Sequence, residues 1–162
     1  MWFFMNTCYL LSFLTFMALL LAFTQSIFGF PILKANHLTF MILTSILYSF
    51  TETLVIFFFV GTGVSIKEFV LEHGMGQDYH KRSIAIKRRV YPPLLLNILF
   101  MVILFVLVGA VDTHHFPKWA YYFVFLGCLY HFSKVKIIQH DCFKDNTQII
   151  LEMAGIKNAH NP

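Results

Sequence analysis

The chain has 162 residues, 58% hydrophobic and only 12% charged, with a mean hydropathy of +0.70. Soluble domains carry roughly a quarter charged residues, so this composition excludes a globule solvated by water. The net charge is +4 with a pI near 9.0. Its basic residues flank apolar runs, where they mark membrane orientation, and this argues against nucleic acid as a partner.

A membrane-spanning helix needs about 20 mostly apolar residues, and four runs meet that length. The first covers roughly 8–28, interrupted mildly by Ser12, Thr15, Thr24, Gln25 and Ser26, and stops near Gly29 and Pro31. It has no basic leading segment and its apolar core is too long for a signal peptide, so it reads as a retained span. The second run covers about 38–64, with Asn36 placed to cap its start. Beyond Val64 the pattern turns amphipathic through Ile66, Phe69, Val70 and His73. The second helix is therefore expected to leave the membrane for about two more turns and to stop at Gly74.

A turn over 74–77 precedes a short basic helix over 79–90, capped by Asp78. Tyr91, Pro92 and Pro93 are expected to interrupt it, since proline suits a first helical turn. The third span follows at about 94–111. His114 and His115 fall in the next turn, and Pro117 opens the fourth span at about 118–138, with its helix continuing toward Met153. The expected architecture is one all-α domain, an integral membrane four-helix bundle, with helices two and four extended into the cytoplasm.

Basic residues set the orientation. Lys67, Lys81, Arg82, Lys87, Arg88 and Arg89 lie between spans two and three, and Lys134, Lys136, Lys144 and Lys157 fall on the same side. Only Lys34 and Lys118 lie opposite. The positive-inside rule then puts the N- and C-termini in the cytoplasm, in a bacterial inner membrane.

Few polar residues interrupt the spans. Glu52, in Thr51-Glu52-Thr53, sits near the middle of the second. A charge there costs about 2.5–3.5 kcal/mol on insertion scales, so it needs a protein partner. Counting from the outer ends at 1.5 Å per residue puts Glu52 and His131 at a similar depth of about 20 Å. A Glu52–His131 pair is allowed if their helices touch, with Tyr48 and Tyr130 as candidate neighbours. The pair has two readings: a proton or ion pathway, or a polar clasp between helices.

His37 with His114 or His115 shares the outer depth, which raises a b-type haem held by two histidines; the alternative is ordinary interfacial polarity. Gly61-Thr62-Gly63 lacks the lysine and serine of a phosphate loop and reads as close helix packing by Gly61 and Gly63. Lys81, Arg82, Lys87, Arg88 and Arg89 form a basic amphipathic segment for anionic headgroups or a partner subunit. Cys8, Cys128 and Cys142 show no CxxC spacing and no disulfide framework. His73, Asp78 and His80 match no zinc-enzyme motif, and no nucleophile elbow is present.

The stretches Phe57-Phe58-Phe59-Val60-Gly61-Thr62-Gly63-Val64-Ser65-Ile66-Lys67-Glu68 and Ile86-Lys87-Arg88-Arg89-Val90-Tyr91-Pro92-Pro93, with Asn146 after the last span, resemble a pattern in small bacterial four-helix membrane proteins. The resemblance covers roughly 37–150. It implies one domain with four helices and carries no chemistry. The functional expectation is a non-catalytic accessory subunit of a multi-subunit membrane complex, by analogy with energy-transducing, electron-transport assemblies. The partners expected are membrane lipid and other membrane subunits.

Overall fold

The computed structural model describes residues 2–32 and 34–155. Four antiparallel helices follow one another: α1 (Trp2–Phe28), α2 (His37–Glu72), α3 (Asp78–Asp112) and α4 (Lys118–Met153). The arrangement is an all-α bundle, with no strand among the described residues. Each helix packs most closely on its neighbour in the chain, and α1 closes the ring by touching α4 more lightly. Helices α1 and α3 therefore stand at one pair of diagonal corners, α2 and α4 at the other.

The helix ends follow local chemistry. Gly29, at a φ of 68°, ends α1 in the left-handed region open to glycine. The side chain of Asn36 accepts a hydrogen bond from the Thr39 amide at 2.9 Å, capping α2 as expected. His73 caps the other end of α2, and Gly74 turns the chain back at a φ of 60°.

One expectation is corrected. The basic segment and the third apolar run are one helix, with Pro92 and Pro93 inside it. Two successive prolines remove two backbone donors, yet Val90 and Leu94 are fully buried on either side and their packing carries the helix through. Consequently α3, with 35 residues, is as long as α2 and α4, with 36 each. At 1.5 Å per residue all three exceed about 50 Å, well beyond a hydrocarbon core of about 30 Å.

Three helices, α1, α2 and α3, are long and apolar enough to cross a membrane. The apolar run of α4 is diluted by Tyr121, Tyr122, Tyr130, His131, Lys134 and Lys136. Exposed leucines, phenylalanines and valines line the outside of the bundle, including Phe13, Ile46, Phe57, Leu95 and Val106. This outward apolarity matches lipid as the surrounding solvent.

The core has two parts. Toward the end holding the 29–36 loop and the α3–α4 turn, Leu19, Met41, Tyr48, Leu104 and Phe125 form one cluster. Toward the opposite, basic end, Val55, Phe59, Ile66, Val90 and Phe143 form the other. Phe59 and Phe143 stack there with centroids 5.1 Å apart. A polar layer separates the two clusters.

Candidate functional site: a polar layer and an open groove

Glu52 is fully buried at the centre of the polar layer. Its Oε1 accepts hydrogen bonds from Lys136 Nζ at 2.8 Å and from Asn97 Nδ2 at 3.1 Å. The ion pair runs diagonally from α2 to α4, while Asn97 reaches in from α3. Lys136 Nζ also donates to Gln139 Oε1 at 2.9 Å and lies 4.5 Å from the centre of the Phe132 ring. Its ammonium thus has two acceptors and an aromatic face. Beside this layer the Thr15 and Thr51 hydroxyls bond at 2.8 Å, tying α1 to α2.

His131 does not touch Glu52. Its Nδ1 donates to Asn97 Oδ1 at 2.6 Å, so Asn97 stands between the two residues singled out in the sequence. The direction is fixed by chemistry: the Asn97 amide nitrogen faces the carboxylate, which leaves its oxygen to accept from an Nδ1–H. An amide in that position orients its neighbours but relays a proton only by passing through its imidic-acid form. These contacts link α2, α3 and α4 through one amide and one ion pair. Tyr48 lies one turn from Glu52 and is buried, its hydroxyl without a hydrogen-bond partner among the described residues. Tyr130 is 70% exposed and takes no part.

The basic segment is largely spent inside the molecule. Arg82 pairs with Glu152, and Arg89 reaches Asp141 at 3.2 Å and Asp145 at 3.4 Å. The Arg82 guanidinium holds the Glu152 carboxyl below its usual range, aided by Gln148. Lys87 lies over Gly63, where a methyl group would overlap the end of its side chain. Of the five residues read as a docking surface, Arg82 and Arg89 are in ion pairs, Lys87 is laid against α2, and Lys81 and Arg88 are exposed without a pair among the described residues.

The two glycines of Gly61-Thr62-Gly63 differ. Gly63 is buried and makes a close approach to α3. Gly61 has no atom within 4 Å of the point where a methyl group would stand, and it opens onto a groove. This groove, of about 550 Å³, is lined mainly by Phe4, Phe57, Phe58, Ile66, Ile150 and Met153. Its origin is a difference in helix length. Phe4, in the first turn of α1, stacks on Phe58 of α2 with centroids 5.8 Å apart. Beyond that level α2 and α4 continue, and no described residue of α1 stands at the fourth corner of the bundle. A smaller recess of about 310 Å³ lies on the other side of α1, where Tyr9 bonds His140 Nδ1 at 2.8 Å.

At the opposite end, His37 Nε2 bonds the Tyr121 hydroxyl at 3.0 Å, and the two rings meet edge to face. His115 Nδ1 bonds Thr113 at 3.0 Å, and His114 occupies the turn at a φ of 60°. A haem held by two histidines needs both imidazoles turned to one iron. His37 Nε2 is held by Tyr121, its Nδ1 is buried with no hydrogen-bond partner among the described residues, and His114 and His115 stand in the α3–α4 turn. Among the described residues no cluster of three or more His, Cys, Asp or Glu side chains is placed to hold a metal ion.

Two residues of the layer escape a reading of the sequence alone. Lys136 counts there only as one more inner-side positive charge. Asn97 had a signal: it is the one amide in the apolar run Leu94-Leu95-Leu96-Asn97-Ile98-Leu99. The fold and site together define an apolar helical bundle with a buried polar centre, in which Glu52 Oε2 has no hydrogen-bond partner among the described residues. No family model, curated protein or solved structure matches the chain.

Proposed function

We propose that this chain is a non-catalytic accessory subunit of a multi-subunit membrane complex, in the manner of the small subunits of energy-transducing assemblies. In this reading all four helices cross a bacterial inner membrane, and α4 is carried by its neighbours despite its tyrosines and lysines. The basic end and both termini face the cytoplasm, in accord with the side on which the Lys and Arg residues collect. Lys67, Lys134 and Lys144, exposed at that end, meet anionic headgroups.

The observation that carries this reading is the groove beside Gly61. The polar centre is buried and holds one ion pair, whereas the groove beside Gly61 is apolar and open along the outside. Such a surface suits another protein chain better than a small polar substrate.

The test is extraction from the native membrane in mild detergent, followed by a native gel and mass spectrometry of the band holding this chain. Co-migration with other chains in fixed ratio is the expected result. A band containing this chain alone would overturn the accessory-subunit reading.

A further inference from the structure

We infer that the groove at the basic end receives α3 of a second copy of this chain. The inference deepens the proposed function, since it names one of the chains bound, and it rests on the same membrane placement.

The groove has an acidic edge. Gly61, Ser65, Glu68 and Glu72 follow at spacings of four, three and four, which puts them on one face of α2. Glu68 and Glu72 are exposed and form no ion pair among the described residues. These are unpaired carboxylates at an end where cations predominate. The groove therefore asks for an apolar helix face with a positive charge at one level.

The outward face of α3 has that chemistry. Lys81, Ala85 and Arg88 are exposed at spacings of four and three, with Ile84 beside them, and the stripe continues into Leu95 and Leu99. It points directly away from the buried line of Ser83, Ile86, Val90 and Leu94. Lys81 and Arg88 are exposed there without an ion pair among the described residues, whereas Lys87, also unpaired, lies over Gly63 of the same chain.

The levels agree as well. Glu52 meets Asn97, which sets a common height for α2 and α3. Eleven residues along α2 from Glu52 is Gly63, and eleven back along α3 from Asn97 is Ile86, between the Ser83 and Lys87 that flank Gly63. The count therefore holds along the pair. Sixteen residues along from Glu52 is Glu68, and sixteen back from Asn97 is Lys81. In two copies standing the same way in one membrane, Lys81 of one lies level with Glu68 of the other, Ile84 with Ser65, and Arg88 with Gly61. The groove opens at the α1 corner and the basic stripe at the diagonal α3 corner. Each copy presents both surfaces, so the contact is head to tail and repeats as a row.

The experiment co-expresses two variants, Ser65→Cys and Ile84→Cys, in one host membrane so that both share an orientation. Mild oxidation and a non-reducing gel then report contact between copies. The native Cys8, Cys128 and Cys142 are buried and give little background. A covalent dimer should form in the mixture and not with either variant alone. Adding Glu68→Lys to the Ser65→Cys chain should lower the yield about tenfold, because like charges then face each other. Adding Lys81→Glu to the Ile84→Cys chain as well should restore it. That rescue also excludes misfolding as the cause of the loss. No dimer in the mixture, dimer in either variant alone, or a yield indifferent to charge reversal would each overturn the inference. A native complex with other chains but no such crosslink would leave the accessory-subunit reading standing and assign the groove to a different subunit. A groove filled by lipid acyl chains would give the same absent crosslink, with Gly61→Leu leaving the native band unchanged.

Discussion

Glu52 on α2 and Lys136 on α4 meet across the diagonal of the bundle, with the carboxylate fully buried and the ammonium side chain 18% exposed. Each helix of the pair also packs on α3, so the contact fixes the relative height of three helices. Removing the cation alone leaves a carboxylate in the core. Lys136→Met should cost about 3 kcal/mol, the lower end for a broken buried pair because the lysine keeps some solvent. Glu52→Gln combined with Lys136→Met should recover most of that loss. Thermal melts of the single and double variants in detergent check both statements; a double variant no better than Lys136→Met would refute the pair as the source of the cost.

The amide between His131 and Glu52 makes a prediction about transport. With Asn97 donating to Glu52 and accepting from His131, the two share no direct hydrogen bond, and the expected behaviour is a clasp without proton flux. Proteoliposomes holding the native chain should leak protons at the same rate as those holding Glu52→Gln, measured with an entrapped pH dye under an imposed potential. A clear fall in flux with Glu52→Gln would replace the clasp by a pathway.

The pairing of Arg82 with Glu152 carries a pH dependence. The Glu152 carboxyl titrates below its usual value of 4.5 in the folded chain. A lowered folded value means that the pair's contribution is complete above the usual value and fades as the pH falls through the folded one. Protection from amide exchange at the basic ends of α3 and α4, taken relative to the intrinsic rate at each pH, should therefore fall in acid below that point. Arg82→Gln should remove most of this dependence, leaving protection lower at neutral pH and nearly level across the range.

Tyr48 should behave unlike most buried tyrosines. Its hydroxyl is enclosed with only the Cys128 thiol, a weak partner outside hydrogen-bond geometry, beside it, and burying such a group poorly paired is unfavourable. Its ring, by contrast, packs on Phe132 with centroids 5.1 Å apart. Tyr48→Phe keeps the ring and drops the hydroxyl, so the melting temperature should stay level or rise. Tyr48→Ala should destabilise by about 3–5 kcal/mol, as large-to-small aromatic changes do in a packed core. A marked loss in Tyr48→Phe would mean that the hydroxyl has a bonding role.

Helices were legible because their cues are local. Asn36, Gly29 and Gly74 mark ends through capping or backbone freedom, and runs of twenty apolar residues declare themselves by length. The continuity of α3 was not legible, because Pro92 and Pro93 act locally as a break while the packing of Val90 and Leu94 against other helices acts at a distance. Counting residues gives Glu52 and His131 a common depth, and both reach Asn97. Their separation by that amide is not in the count, since depth leaves open which way each side chain faces around its helix. Lys136 was hidden for a related reason: a long, flexible stem lets a charge placed near a membrane boundary reach inward to a buried acid. The groove was invisible too, because it arises from the lengths of three helices compared at one level.

The shorter α1 also gives the bundle unequal ends. Near the 29–36 loop, α1 is held by Leu19 and Ala22 in the core, by Gln25 donating to the Ala35 carbonyl, and by Tyr122 donating to the Ser26 carbonyl. The start of α1 is held by Cys8 in the core, by Phe4 on Phe58 and by Tyr9 on His140, with a recess on either side of these contacts. Small tilts of α1 would widen one recess while narrowing the other, so whatever fills the groove beside Gly61 would also set how tightly Tyr9 is pressed against His140 on the far side.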